Sequence, residues 1–189
     1  MGQQRFIKMS KEFGLDADGI LLLGKQYIAA GNPDKSAGPF WEKLFCENSS
    51  VIVKLNAEPG LYWLDPCVKV VEENVLASFL TERRMLITRA DQTKEIVHLD
   101  FSGWPDFGIP CKDEFDLLLA RVNEVHDRND PLTVHCQAGI GRTGTFIAIH
   151  AIQDQTGPNI ADVIEQMRSQ RSPHMVETSR QLTFILGFC

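Results

Sequence analysis

The sequence predicts an α/β fold, a central mixed, twisted sheet flanked by helices. Two observations predict it. Leu132-Thr133-Val134 is a β-branched, apolar run ending at His135-Cys136; a Gly-rich segment and Arg142-Thr143 follow, then the apolar, helix-like run Phe146-Ile147-Ala148-Ile149. That is strand, loop and helix. Elsewhere Val97, Leu99 and Phe101 alternate with His98 and Asp100, as in a half-buried strand, whereas Phe115, Leu118, Leu119, Val122 and Val125 recur at helical spacing.

The 189 residues, 43% hydrophobic, fit one compact domain over 1–189, with 1–24 its least informative part. A net charge of -6 argues against nucleic-acid binding and acidic membranes, so any attraction for phosphate must be local. The five cysteines are scattered and form no C-x-x-C pair, which suggests neither a disulfide framework nor a zinc site and fits a reducing compartment. No apolar run approaches the roughly 18 residues of a membrane span, and no signal-peptide core is expected at the N-terminus. Met1-Gly2 opens like a myristoylation site, but Phe6 stands where Ser or Thr is wanted.

In chain order, Asp16 to Gly19 reads as a turn and Tyr27 to Pro33 as a loop. A short helix follows with Phe40, Trp41, Leu44 and Phe45 on one face, then a buried strand at Val51–Leu55. Met85–Thr88 and Glu95–Phe101 are strands joined by a polar turn; His98 reads as a packing residue. Asp113 to Asp127 is an amphipathic helix, Asn159 caps another, and Thr178 with Gln181 fits a capping box. Arg168 and Arg171 suit a helix C-terminus, and their charge could draw in an anionic substrate.

The loop after the signature strand favours an anion. Backbone N–H groups at a helix N-terminus point inward, and Gly139 and Gly141 let successive N–H groups of Gln137, Ala138, Gly139, Ile140 and Gly141 turn to one centre. A cysteine on the rim of that field, Cys136, favours the thiolate and becomes a nucleophile. Arg142 is placed to fork two oxygens of a tetrahedral dianion. Phosphate-ester cleavage also needs a proton for the departing oxygen. The segment Gly103-Trp104-Pro105-Asp106-Phe107-Gly108-Ile109-Pro110 offers one carboxylic acid, Asp106, on a loop bounded by Gly and Pro.

The run His135-Cys136-Gln137-Ala138-Gly139-Ile140-Gly141-Arg142-Thr143-Gly144 resembles the signature of the cysteine-dependent protein tyrosine phosphatases, and the Trp104 segment resembles their Trp-Pro-Asp loop almost letter for letter. Tyr27-Ile28-Ala29, Phe40-Trp41 and Val51–Leu55 resemble the core of the same family. The resemblance covers about Tyr27 to the C-terminus. It implies Cys136 as nucleophile, Arg142 and the loop amides as phosphate ligands, and Asp106 as general acid on a loop that includes Trp104. It further implies Glu58 as the partner that orients Arg142, and His135 and Thr143 as hydrogen-bonding supports of the thiolate. Met175-Val176-Glu177-Thr178 with Gln181 resembles the family's Q loop, whose amides place the hydrolytic water; the first of these amides is replaced here by Glu177.

No metal or cofactor is implied. The implied substrate is phosphotyrosine in proteins, and the implied compartment is the cytoplasm. One extra residue between Arg171 and Met175 is similar to secreted bacterial effector phosphatases, for which that compartment would be a host cytosol. The family's Asn-Arg-Tyr recognition segment is not clearly present, Arg5-Phe6 being its one echo. That leaves open a dual-specificity or phosphoinositide phosphatase, and a phosphotyrosine-binding module of low turnover.

Overall fold

The computed structural model describes residues 15–188; the readings of Met1-Gly2 and Arg5-Phe6 lie outside them. Strands β1 (Ala17–Leu22) and β2 (Lys25–Ala30) form a hairpin, and helix α1 (Ala37–Glu47) leads to β3 (Val51–Lys54). A meander follows, β4 (Val68–Ala77), β5 (Leu80–Arg89) and β6 (Gln92–Phe101). Helix α2 (Lys112–Val125) then leads to β7 (Leu132–His135), α3 (Gly141–Ile152), α4 (Ile160–Gln170) and α5 (Ser179–Leu186).

The described strands make one seven-stranded mixed sheet in the order β1-β2-β7-β3-β6-β5-β4. Its centre, β2-β7-β3-β6, is parallel, and β1, β5 and β4 add antiparallel at the two sides. Ala30 and Lys54 both stand beside His135, and Lys54 beside Asp100. Four parallel strands therefore end along one edge, the edge where open α/β sheets place their ligand sites.

Strands β3 and β7, and β2 from Tyr27 onward, are buried on both sides because both sheet faces are covered. Tyr27, Ala29, Val51 and Val53 face the larger core, under α2, α3, α4 and α5. Their neighbours Ile28, Ala30 and Ile52 face an aromatic core with Phe40, Trp41 and Tyr62. Every residue of α3 is buried, which is why its sequence shows no polar stripe.

Two expectations need correcting, and one strand was missed. Residues 17–19 are strand rather than turn, and Tyr27 to Ala30 is strand rather than loop, because β2 finds its partner in β7, more than a hundred residues away. Strand β4 went unread: Glu72-Glu73-Asn74 interrupts its pattern, and two register shifts break the alternation. The turn between β5 and β6 is only Ala90-Asp91, both left-handed at φ 44° and 66°, as a type I′ hairpin requires.

One side chain opposes the fold. Lys43 on α1 is 7% exposed, and its ammonium nitrogen has no hydrogen-bond partner among the described residues. Burial pushes its pKa down from the usual lysine value. A depressed lysine costs stability at neutral pH, and the cost is relieved as the pH rises through its folded-state value. Lys43→Met is expected to raise stability by roughly 1 kcal/mol or more at neutral pH, read from urea midpoints, with the gain shrinking toward alkaline pH. An unchanged midpoint would show that the ammonium reaches water.

Candidate active site

Cys136 is the first residue beyond β7 and is 3% exposed. The loop that follows is shaped from outside. The Asn32 N–H donates to the Gln137 carbonyl at 2.9 Å, and Arg171 donates from Nε to the Gly139 carbonyl at 3.2 Å and from Nη2 to the Ala138 carbonyl at 3.4 Å. A peptide's C=O and N–H point in opposite directions, so tying the carbonyls outward turns the N–H groups toward the concave side. Gly139 has φ 67°, and a Cβ there would lie 2.3 Å from the Ala30 carbonyl oxygen, so both the turn and the close approach require glycine.

Arg171 is therefore neither a dipole charge nor an attractor for substrate. Its side chain is 5% exposed and paired with Asp16 at 2.8 Å and Asp18 at 2.7 Å, so its charge is neutralised while its donors hold the loop. Sequence alone missed this clamp, because the two aspartates lie about 150 residues away on β1 and its approach. Arg168 donates to the Met175 carbonyl at 3.1 Å and so braces the Q loop.

Arg142 opens α3 and is 4% exposed. Its Nη2 pairs with the Asp106 carboxylate at 2.9 Å, and its Nη1 donates to the Trp104 carbonyl at 3.2 Å. The Trp104 segment thus folds over the loop. Trp104 anchors it: the indole is 1% exposed, packs edge-on against Phe115, and donates to the Gly108 carbonyl at 3.0 Å. Asp106 itself is exposed, on a turn whose next residue, Phe107, is left-handed at φ 54°.

Gln181 forms the expected capping box with Thr178. Its Oε1 accepts from the Glu177 and Thr178 N–H groups at 2.9 and 3.2 Å, and its Nε2 reaches the Gly108 carbonyl at 3.4 Å. One amide thus links the Q loop to the Asp106 loop. A Cβ built on Gly141 would lie 2.9 Å from Glu177 Oε2 and 3.1 Å from Gln181 Nε2, so both side chains stand against the loop where glycine makes room.

The remaining supports differ from expectation. Glu58 is exposed and not within ion-pairing distance of Arg142. Its carboxyl is held below the usual range first by its own backbone N–H, with Asn56, Arg142 and Lys54 adding to the effect. Glu58 therefore does not grip the arginine as the resemblance implies. His135 does not hydrogen-bond the sulfur. Its Nδ1 meets the Cys136 carbonyl at 3.4 Å and its Nε2 the Tyr62 hydroxyl at 2.8 Å, and burial pushes its pKa down to about 4. The Thr143 hydroxyl is buried without a hydrogen-bond partner among the described residues.

Among the described residues, no helix is long and apolar enough to cross a membrane. The protein-tyrosine phosphatase family description matches residues 14–189. Tyrosine-protein phosphatase 2 of Dictyostelium discoideum is 30% identical over 173 residues, covering 77% of this chain and 46% of that protein. Human tyrosine-protein phosphatase non-receptor type 20 is 33% identical over 181 residues, covering 84% and 43%. The chain thus spans less than half the length of either relative. The solved structure of PTPN18 in complex with HER2 phosphopeptides superimposes with a TM-score of 0.83 at 24% identity, over 91% of this chain and 74% of that one, a likeness of fold. With the Cys136 loop, the Trp104 segment and the matched residues in agreement, the chain belongs to the protein-tyrosine phosphatase family.

Proposed function

We propose that the chain hydrolyses phosphate monoesters, above all phosphotyrosine in proteins, through a phosphocysteine on Cys136. The observation that carries this reading is the 2.9 Å pair of Arg142 and Asp106, which brings a buried guanidinium and the carboxyl of the Trp104 segment together over the loop that begins at Cys136. A substrate dianion takes the fork of Arg142 and the loop N–H groups, releasing Asp106 from its partner. The Cys136 thiolate attacks phosphorus and the ester P–O bond breaks. Asp106, which takes up a proton from solvent once it leaves Arg142, gives that proton to the leaving oxygen. Water then attacks phosphorus and gives a proton to Asp106, the S–P bond breaks, and inorganic phosphate leaves with the thiolate restored. Gln181 and Glu177 face Gly141 from the Q loop, the side from which water would be placed.

PTPN18, whose fold this chain shares, is solved in complex with HER2 phosphopeptides, which supports a phosphotyrosine protein as substrate. A working thiolate and the likeness to a non-receptor phosphatase support the cytoplasm as its place. Rates on phosphotyrosine, phosphothreonine and inositol phosphates test the assignment. Phosphotyrosine is expected to lead; a lead for either of the others moves the chain to the dual-specificity or phosphoinositide class. Binding without turnover of p-nitrophenyl phosphate leaves only a binding module.

Glu177 places a carboxylate beside an anion site. Glu177→Gln is expected to lower the inhibition constant of inorganic phosphate by roughly threefold to tenfold, the scale of one exposed like-charge repulsion. An unchanged constant would mean that this carboxylate points away from the bound dianion.

A further inference from the structure

We infer that His98, on β6 and away from the substrate, is a positioning residue that fixes the tautomer of His135 through Tyr62 and so sets the donor strength of the nucleophile loop. The inference rests on the proposed phosphatase chemistry. Its geometry is a buried chain: His98 Nε2 lies 2.6 Å from the Tyr62 hydroxyl, and that hydroxyl lies 2.8 Å from His135 Nε2. His135 Nδ1 in turn meets the Cys136 carbonyl.

The proton positions in this chain follow from counting donors. A carbonyl only accepts, so His135 Nδ1 carries the hydrogen and its Nε2 is bare. The bare Nε2 must receive the Tyr62 O–H. A phenol has one hydrogen, so at 2.6 Å His98 Nε2 must donate to the Tyr62 oxygen rather than oppose it lone pair to lone pair. His98 Nδ1 is then a bare nitrogen, and it is the ring atom that has no partner among the described residues. The opposite direction would bury an unsatisfied N–H there and face a bare Nδ1 at the Cys136 carbonyl. Every bond therefore points from His98 toward the loop, and bonds in such a chain strengthen one another.

The last bond polarises the peptide unit joining Cys136 to Gln137. The N–H of that unit is the first amide of the anion loop, and it becomes a stronger donor. The chain is held in place at its middle. The Tyr62 and Leu61 N–H groups donate to Asp34 at 3.1 and 2.7 Å, and Trp41 Nε1 donates to the Tyr62 carbonyl at 2.8 Å. The charged groups facing it are Asp34, Lys54, Asp100 and Arg83. Lys54 and Arg83 both pair with Asp100, at 2.7 and 2.9 Å, and Arg83 lies over Trp63. Burial pushes His98 well below the usual histidine range, His135 to about 4 and Tyr62 well above the usual phenol range, so the chain stays neutral around pH 7.

The test is the pH profile of Cys136 alkylation by iodoacetate, with p-nitrophenyl phosphate turnover, in the wild type, His98→Phe, His98→Gln, His98→Asn, Tyr62→Phe and the His98→Phe/Tyr62→Phe double variant. His98→Phe is expected to move the alkylation midpoint to higher pH and lower kcat/KM by about tenfold, the scale of one buried hydrogen bond. His98→Gln, whose amide nitrogen replaces Nε2, recovers most of the loss; His98→Asn, whose shorter amide replaces Nδ1, does not. In the Tyr62→Phe background the His98→Phe change is expected to shift the midpoint no further. Equal profiles for His98→Phe and wild type, or additive effects in the double variant, overturn the inference. Should His98→Phe fail to fold, Gln and Asn behaving alike overturns it. A wild type that alkylates but turns over no phosphate ester defeats the proposed function instead, and the alkylation profiles still decide the role of His98.

Discussion

Cys136→Ser is expected to lower kcat/KM on an aryl phosphate by at least about four orders of magnitude, as the loss of a covalent nucleophile does elsewhere. The reason is local. The loop carbonyls are tied outward by Asn32 and Arg171, so the loop N–H groups are turned toward the concave side beside Cys136. A serine hydroxyl is far harder to ionise than a thiol, so the same field leaves it neutral. The site for the dianion is otherwise intact, since Arg142 keeps its place at the start of α3. Phosphopeptide binding should therefore survive in the variant, measured by calorimetry, while turnover does not. Retained turnover would assign the nucleophile elsewhere.

Asp106→Ala is expected to lower kcat by roughly 10²- to 10⁴-fold, the usual range for one positioned acid. Binding should hold or tighten, because Arg142 loses the carboxylate that pairs with it at 2.9 Å and becomes free for the dianion. The loss should be larger for a poor leaving group than for p-nitrophenolate, which needs little protonation. Equal losses in kcat and in binding, independent of the leaving group, would make Asp106 a structural residue of its loop.

What the sequence revealed and what it hid divide by the range of the interactions. The strand-loop-helix at Leu132 to Ile152, the Asn159 cap and the Thr178–Gln181 capping box are written in neighbouring residues, and all stand as read. The pairing of Tyr27 to Ala30 with β7 is not local, and a segment of that length bounded by glycine and proline reads as a loop until its partner is known. The residues around the site divide the same way. Asp106 was legible as a site residue because its loop is read from neighbouring letters, and the structure sets it beside Arg142. Arg171 was misread because its helix C-terminal position gave a sufficient local reason for a cation, whereas its actual partners are Asp16, Asp18 and two loop carbonyls. Tyr62 and His98 drew no chemistry for a similar reason: each is an ordinary packing residue until the fold sets one hydroxyl between two imidazoles. His135 and Glu58 carried roles that the geometry changes: the first turns to the Cys136 carbonyl, and the second is exposed and makes no ion pair with Arg142.

The central claim is that the phosphoryl group passes through the sulfur of Cys136. Rapid denaturing quench of the wild-type protein during turnover of a labelled aryl phosphate, followed by peptide mapping, tests it most directly. Label is expected on the peptide that contains Cys136, appearing and decaying at rates that account for turnover. Steady turnover with no covalent label, or with label on another residue, would contradict it.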